Sequence, residues 1–194
     1  MIIVIAGPSG VGKTTLCKLL VENLDNLAYS VSATTREKRE TEKEGLDYYF
    51  LTEEEFKNWK LQGQFLEIAR VHNYFYGTPK DSVMKPKKAG KDIVMDIDVQ
   101  GKARICEKFD DVVTVFLLPP TMEEAIRRIK KRGLEKEGKI KNRVETASQE
   151  LKEVENFDYL VVNEDLSATF EAVKSIIIAE RHSIKRMEEK LCIH

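Results

Sequence analysis

The sequence has little cysteine, little histidine, almost no net charge and no long apolar run. Its three cysteines (Cys17, Cys106, Cys192) are odd in number and far apart, and its three histidines lack ligand spacing, which fits neither a disulfide framework nor a zinc site. With 32 basic against 33 acidic residues, the net charge of -1 argues against a general nucleic-acid binder. No stretch approaches the ~18 apolar residues of a membrane span. We therefore expect a cytoplasmic protein with reduced thiols and neither a nucleic-acid nor a membrane partner.

A chain of 194 residues with 42% hydrophobic content is long enough for one domain with a sizeable core. Apolar runs rich in β-branched residues alternate with helical patterns along most of it. This alternation predicts an α/β fold with a doubly wound, three-layer core around a parallel sheet. The expected strands are Ile2–Ala6, Ile93–Ile97, Val112–Leu118 and Tyr159–Val162, with Ala28–Ala33 as a fifth.

Two segments interrupt this alternation. Residues 34–80 concentrate aromatic side chains in short strand-like pieces around one helical piece, Glu53–Leu61, which predicts an inserted small α+β subdomain. Residues 132–141 carry two glycines and many charges, which predicts a short mobile lid. The core would then comprise residues 1–33, 81–131 and 142–194. Residues 166–191 are expected to form one long amphipathic helix.

The segment Gly7–Thr14 fits the pattern G-x-x-x-x-G-K-[ST], directly after the first strand and before a helix. Glycines let backbone N–H groups converge on phosphate oxygens, and the N-terminus of the following helix favours negative charge. Lys13 is expected to reach the β- and γ-phosphates, and Thr14 to ligate Mg²⁺ through its hydroxyl. The motif predicts that a nucleoside triphosphate binds, but it does not specify the reaction.

Two acids, Asp96 and Asp98, close the second strong strand and share one of its faces. At the carboxyl end of a strand in an α/β sheet they would border the ligand crevice. Asp96 is a candidate for orienting the water shell of Mg²⁺. The alternative is structural, because acids at strand ends commonly cap the next helix.

The predicted insertion carries candidates for a second phosphate site. Arg36 and Arg39 have forked donors that suit phosphate, and Tyr48 and Tyr76 are candidate walls of a small pocket. Glu67 is a lone acid in an apolar run, and its carboxylate would suit the adjacent N–H donors of guanine. Each residue alone is more commonly a surface or core residue. Their concentration in one insertion is what indicates a binding site.

Basic residues flank the predicted lid. A charge run of this kind is usually a solvated helix face. A phosphoryl-transfer enzyme nevertheless needs cations around the migrating group. Arg132 and Arg143 are the candidates, because they lie at the two hinges of the lid.

Taken in order, these segments resemble the guanylate kinase family of nucleoside monophosphate kinases nearly end to end. The resemblance implies a P-loop core, a GMP-binding insertion and a lid, with ATP as phosphoryl donor and Mg²⁺ as cofactor. The implied reaction transfers the γ-phosphoryl group of ATP to GMP or dGMP, giving ADP and GDP or dGDP. The matching segments are Gly7–Thr15, Val31–Arg36, Gly45–Phe50, Phe65–Glu67, Tyr74–Thr78, Asp96–Gly101, Arg132–Gly133 and Val161–Asn163.

The resemblance also implies which residues contact each nucleotide. The ATP set comprises Gly7, Pro8, Ser9, Gly10, Val11, Gly12, Lys13, Thr14 and Thr15, with Asn163 at the adenine. The GMP phosphate would be held by Arg36, Arg39, Tyr48 and Tyr76. The guanine would be read by Ser32, Glu67, Thr78 and Asp98, with Gly77 also in the GMP site. Arg132 and Arg143 correspond to the arginines of the family's lid.

Two other classes of protein are alternatives. Residues Asp98–Gly101 fit the D-x-x-G pattern of regulatory GTPases, although the chain has no N-K-x-D motif for guanine. A catalytically silent binding module of a scaffold protein would share the fold, but such modules have degraded P-loops, whereas this one is intact. The sequence leaves open whether the protein is a monomer or a homo-oligomer, and whether it prefers GMP or dGMP.

Overall fold

The computed structural model describes residues 1–71, 73–121, 123, 124, 127 and 150–191. The predicted lid, with Arg132 and Arg143, lies outside these residues. In chain order the described elements are β1 (Ile2–Ala6), α1 (Lys13–Asn23), β2 (Leu27–Tyr29), β3 (Ala33–Thr34), β4 (Tyr49–Phe50), α2 (Glu53–Leu61), β5 (Phe65–Val71), β6 (Tyr74–Pro79), α3 (Lys80–Lys88), β7 (Asp92–Asp96), α4 (Val99–Cys106), β8 (Val112–Leu118), a 3₁₀ helix (Leu151–Asn156), β9 (Tyr159–Val162), α5 (Leu166–Arg181) and α6 (Ile184–Leu191).

A parallel sheet with the strand order β2-β7-β1-β8-β9 forms the core. Its central strand β1 is buried along its whole length, because helices cover both faces of the sheet. Ile3 and Ile5 face α1 and α5, whereas Ile2 and Val4 face α3 and α4. The three-layer α/β prediction is therefore confirmed. Strands β1, β8 and β9 have the predicted bounds, and β7 begins and ends one residue earlier than predicted.

A second sheet, with the order β4-β3-β6-β5, lies within residues 33–79. Its strands β5 and β6 form an antiparallel pair, and β3 pairs antiparallel with β6 and parallel with β4. The helix α2 begins with a capping box between Thr52 and Glu55. Phe56 of this helix stacks on Phe65 and Phe75, with ring centroids 4.6 and 5.6 Å away. The aromatic residues of the predicted insertion thus form a small core of their own.

The prediction of one strand over Ala28–Ala33 is wrong. The residues Leu27–Tyr29 pair with β7 in the parallel sheet, whereas Ala33–Thr34 join the second sheet. Between them the chain crosses from one sheet to the other. The buried Ser30 marks this crossing, because its N–H donates to Val94 and its hydroxyl lies 2.9 Å from that of Ser82 on α3.

The prediction of one helix over residues 166–191 is also wrong, because the helix breaks at His182–Ser183. Phe170, Val173 and Ile177 pack on the core as the amphipathic pattern indicates. After the break, Arg186 forms ion pairs with Asp111, at 2.7 Å, and with Glu180, which direct α6 back toward the sheet. None of the helices within the described ranges is long and apolar enough to cross a membrane.

Candidate active site

The P-loop connects β1 to α1 as the sequence predicts. Gly7, Gly10 and Gly12 have φ values of 138°, 84° and 104°, in the region that favours glycine. A Cβ atom on Gly7 would lie 2.1 Å from the carbonyl oxygen of Leu117, so the loop packs against β8 with no room for a side chain. No side chain in the described part of the protein caps α1, and its first turn carries no acidic residue. The N-terminus of α1 is therefore suited to an anion.

Three side chains set the shape of this loop. Lys13 donates to the carbonyl oxygens of Gly7 and, at 3.2 Å, of Pro8, so its ammonium group lies against the loop. Val11 is buried in the core, whereas Ser9 and Thr15 are exposed. Asn163 donates to the carbonyl of Val11 at 2.6 Å and accepts from Thr169, which places its buried amide against the P-loop. A contact between Asn163 and adenine stays a prediction.

Thr14 and Asp96 meet beside the loop. The hydroxyl of Thr14 donates to Oδ2 of Asp96 at 2.5 Å, and the hydroxyl of Tyr29 donates to Oδ1 at 2.5 Å. Burial raises the pKa of Asp96 above its ordinary value, although both hydroxyls and the nearby Lys13 act to lower it. A hydroxyl and a carboxylate next to a phosphate-binding loop are the hard oxygen donors that Mg²⁺ prefers, so the residues fit this cofactor.

The two predicted arginines of the insertion share an acid that the sequence interpretation did not place in the site. The guanidinium of Arg36 donates to both carboxylate oxygens of Glu42, at 2.7 and 3.0 Å, and the backbone N–H of Arg39 donates to it at 2.9 Å. Burial acts to raise the pKa of Glu42, but these donors hold it below its ordinary value. Two arginines and one carboxylate leave this cluster with a positive charge, which favours an anion.

Tyr48 and Tyr76 lie beside the arginine cluster. Their ring centroids are 6.0 Å apart, and the guanidinium carbon of Arg36 lies 5.4 Å from the centroid of the Tyr48 ring. Burial raises the pKa of Tyr48, and the charge of Asp96 adds to the effect. Tyr48 directly follows Asp47, which forms an ion pair with Lys18 of α1, so this part of the cluster lies near the P-loop helix.

Glu67 has one satisfied and one unsatisfied carboxylate oxygen. Oε1 accepts from the hydroxyl of Thr78 at 2.7 Å, whereas the buried Oε2 has no hydrogen-bond partner among the described residues. Burial raises the pKa of Glu67, Thr78 opposes this, and the like charge of Asp98 adds to it. A buried acceptor without a donor costs about 1–3 kcal/mol, so this oxygen marks a place for a ligand with N–H groups.

The remaining predicted guanine contacts lie around Glu67. A Cβ atom on Gly101 would be 3.1 Å from Oε2 of Glu67 and 3.2 Å from Oδ1 of Asp98, so the two carboxylates approach the same point. Asp98 also caps α4 by accepting from Gly101 at 2.7 Å, which confirms the structural alternative for this residue. Ser32 is buried, and Gly77 is packed against Phe65, whose Cδ1 would be 2.8 Å from an added Cβ atom.

The sequence interpretation missed Tyr29, Glu42 and Glu150. Burial raises the pKa of Glu150 to about 7, with the charge of Lys13 opposing the shift and the charge of Asp98 adding to it. None of the three residues belongs to a motif, so nothing in the local sequence distinguishes them. The sequence interpretation also missed the ion pair between Lys18 of α1 and Asp47, which joins the P-loop helix to the loop before β4.

The fold and the loop together define a P-loop nucleotide-binding protein with a cluster of two arginines and one acid near the P-loop helix. The family model described as guanylate kinase matches residues 1–180. The chain is 46% identical over 189 residues to the guanylate kinase of Caldanaerobacter subterraneus subsp. tengcongensis, covering 97% of this chain and 92% of that protein. It is also 46% identical over 188 residues to the guanylate kinase of Thermotoga maritima, covering 97% and 91% of the two chains.

A solved structure agrees with these sequence matches. The crystal structure of guanylate kinase from Anaplasma phagocytophilum superposes with a TM-score of 0.80 at 35% sequence identity, covering 96% of this chain and 88% of that one. The chain belongs to the guanylate kinase family. This assignment confirms the family resemblance and gives no support to the regulatory-GTPase alternative.

Proposed function

We propose that this protein transfers the γ-phosphoryl group of ATP to the phosphate of GMP or dGMP, forming ADP and GDP or dGDP. The observation that carries the proposal is the proximity of the P-loop helix to the cluster of Arg36, Arg39 and Glu42. The ion pair between Lys18 of α1 and Asp47, the neighbour of Tyr48, links the two. A P-loop alone suits hydrolysis or binding. A second cationic site beside it supplies a place for a phosphate acceptor.

The chemistry requires alignment and charge neutralisation rather than a strong base. The attacking atom is a phosphate oxygen that is already anionic near neutral pH, so no proton must be removed before attack. Lys13 would neutralise the β- and γ-phosphates, while Arg36 and Arg39 would hold the acceptor phosphate in line. In this proposal Arg132 and Arg143 bring further positive charge from a lid formed by residues 132–141. Closure of the lid would exclude water and suppress hydrolysis of ATP.

Thr14 and Asp96 would hold Mg²⁺, Asp96 through a water molecule. When bound, the ion would supply positive charge that offsets the negative charge of the phosphates. The short hydrogen bond between the two side chains shows that this chain brings both groups to one place before any ligand is considered. Holding the triphosphate end in a fixed orientation is the contribution of these residues to the reaction.

Glu67 would select guanine over the other bases. Guanine presents two adjacent N–H donors, N1–H and the 2-amino group, and the unpaired Oε2 of Glu67 is an acceptor near Asp98. Adenine has an acceptor at N1 and would leave this carboxylate oxygen unsatisfied. Ser32, Thr78 and Asp98 surround the base in the proposal, with residues 34–80 acting as the GMP-binding insertion.

A coupled assay of ADP formation tests the function directly. Purified protein is supplied with Mg²⁺ and ATP and with GMP, dGMP, AMP, CMP or UMP in turn. ADP release is expected with GMP and dGMP and not with the others. Preferential phosphorylation of AMP or UMP would contradict the proposal, and GTP hydrolysis without any monophosphate would favour a GTPase instead.

Glu67→Gln tests the assignment of the base. The amide introduces donors where guanine also has donors, so the KM for GMP should rise about 10- to 100-fold, the range expected for an unsatisfied buried group. Glu54→Gln, on the exposed surface of α2 in the same insertion, is the matched control and should leave KM unchanged. An unchanged KM for GMP in Glu67→Gln would contradict the role of Glu67.

A further inference from the structure

Tyr29 is the last residue of β2, and its phenol reaches across to the neighbouring strand. β2 pairs with β7, and the hydroxyl of Tyr29 donates to Oδ1 of Asp96, the residue that ends β7. The ring packs against the hydrophobic cluster that includes Leu16, Cys17 and Leu20 of α1, so it lies beside the P-loop helix. Tyr29 therefore lies beside the P-loop helix, and its hydroxyl is directed at Asp96 rather than at a nucleotide.

The two oxygens of Asp96 are occupied by hydroxyl donors in a fixed pattern. Oδ1 accepts from Tyr29 and Oδ2 accepts from Thr14, each at 2.5 Å. The Thr14 hydroxyl has a single proton, and donating it to Asp96 leaves its lone pairs directed away from the carboxylate. An aspartate carboxylate rotates broadly about its last torsion angle unless hydrogen bonds fix it. The bond from Tyr29 supplies that restraint on the side opposite Thr14.

We propose that Tyr29 is a positioning residue for the triphosphate and metal end of the site. It fixes the plane of the Asp96 carboxylate, and Asp96 in turn fixes the Thr14 hydroxyl with its lone pairs toward the ligand. Tyr29 acts through Asp96 and touches neither nucleotide. The inference rests on the proposed function only in taking Mg²⁺ and ATP as ligands of the P-loop.

Tyr29→Phe removes the hydroxyl and keeps the ring. Calorimetric titration of ATP with Mg²⁺ and with EDTA gives the gain in affinity that the ion provides. This gain is expected to fall about fivefold or more in Tyr29→Phe, in keeping with the loss of one hydrogen bond to a charged group. Affinity for ATP in EDTA and for GMP should stay within about twofold, and kcat should fall without a rise in the KM for GMP.

Tyr159→Phe is the matched control. Its hydroxyl also donates to a carboxylate at 2.5 Å, that of Glu180, but this pair lies between β9 and α5. Tyr159→Phe should leave all five of these quantities unchanged. Two outcomes would overturn the proposal: an unchanged Mg²⁺-dependent gain in Tyr29→Phe, or an equal loss of affinity for ATP in EDTA, ATP with Mg²⁺ and GMP, since the latter indicates a purely structural role.

A crystal structure of the wild-type protein with ADP and Mg²⁺ gives a test that does not depend on whether the Tyr29→Phe variant folds. The Tyr29 hydroxyl is expected to lie within hydrogen-bond distance of Oδ1 of Asp96 in that complex, and a hydroxyl turned away from Asp96 would overturn the proposal. The titrations with ATP do not depend on which nucleoside monophosphate is the acceptor. A failure of the GMP assay and a failure of this inference are therefore distinguishable.

Discussion

Lys13 is held by the loop to which it belongs, since its ammonium group donates to the carbonyls of Gly7 and Pro8. A triphosphate would offer it anionic acceptors in place of these neutral ones. Lys13→Ala should lower kcat by about 10³-fold or more, because it removes a charge that is needed most in the transition state. Its loss should change the melting temperature little.

The measurement is steady-state ADP formation, with the melting temperature as a check on folding. Lys57→Ala, on the solvent-exposed surface of α2, is a control for the loss of one lysine charge. GMP-dependent ADP release at the wild-type rate by Lys13→Ala would contradict the assignment of the P-loop as the donor site.

The raised pKa of Glu150 predicts that the free energy of unfolding depends on pH. Its folded pKa of about 7 lies above the ordinary value of 4.5, mainly because burial disfavours the charged form. A raised folded pKa contributes stability that is complete below pH 4.5 and is lost as the pH rises to about 7. The side chain of Glu150→Gln cannot ionise. The free energy of unfolding of this variant, relative to that of the wild type, should therefore increase by about 1–3 kcal/mol between pH 5 and pH 8.

Thermal unfolding at a series of pH values measures this difference. The melting temperature of Glu150→Gln relative to the wild type should increase with pH over that window. Glu155→Gln, exposed on the 3₁₀ helix that directly follows Glu150, should show the same pH dependence of the melting temperature as the wild type. A constant difference between Glu150→Gln and the wild type would show that Glu150 titrates at its ordinary pKa.

At the scale of single elements, the P-loop tolerates no side chain at its first glycine. Gly7 has a φ of 138°, and an added Cβ atom would lie 2.1 Å from the Leu117 carbonyl on β8. Gly7→Ala should therefore separate the loop from β8, destabilise the protein by more than about 2 kcal/mol and abolish ATP binding.

Gly90 offers a comparison that separates backbone strain from collision. Its φ is +76°, but a Cβ atom there would have nothing within 4 Å. Gly90→Ala should cost only about 1 kcal/mol, the strain of a left-handed residue, and should leave activity intact. Equal melting temperatures for the two variants would show that the approach of β8 to Gly7 is not what constrains the loop.

The elements show what sequence patterns predict and what they do not. β1 and β8 match their predicted bounds because an uninterrupted apolar run is the mark of a strand buried on both faces. β9 also matches, although it is an edge strand with Leu160 and Val162 exposed. The run Ala28–Ala33 has the same local character, yet it divides between two sheets, because the partners of each half lie far away in sequence. The break at His182–Ser183 depends likewise on the pairing of Arg186 with Asp111.

The same limit applies to the site. The P-loop, Arg36, Tyr48 and Glu67 could be selected because each stands in a motif or is an unexpected residue type for its surroundings. Glu42 is one acid among many in a charged loop, and its role becomes visible only from the two-pronged contact with Arg36. The detailed nucleotide contacts came from family resemblance and not from periodicity or spacing.

At the scale of the whole molecule, GMP should stabilise the fold. A ligand at 100 times its dissociation constant adds about 2.7 kcal/mol, which for a protein of this size corresponds to about 5–10 °C in melting temperature. AMP at the same concentration should give no shift, because it cannot satisfy Glu67. Glu67→Gln should lose most of the GMP shift, and a full shift in that variant would contradict guanine recognition by Glu67.

The crossing between the two sheets is a short covalent connection between the core and the second sheet. Tyr29 ends its strand in the parallel sheet and Ala33 begins the next in the second sheet, and on the return Pro79 of β6 is followed directly by α3 at Lys80. Four residues span at most about 14 Å when fully extended. The second connection, from Pro79 to Lys80, contains no loop residue. These two connections therefore exclude a translation of the second sheet away from the core. Any relative motion would be a hinge rotation about the two connections. The distance between the second sheet and the core would then change least near Tyr29 and most on the side farthest from it.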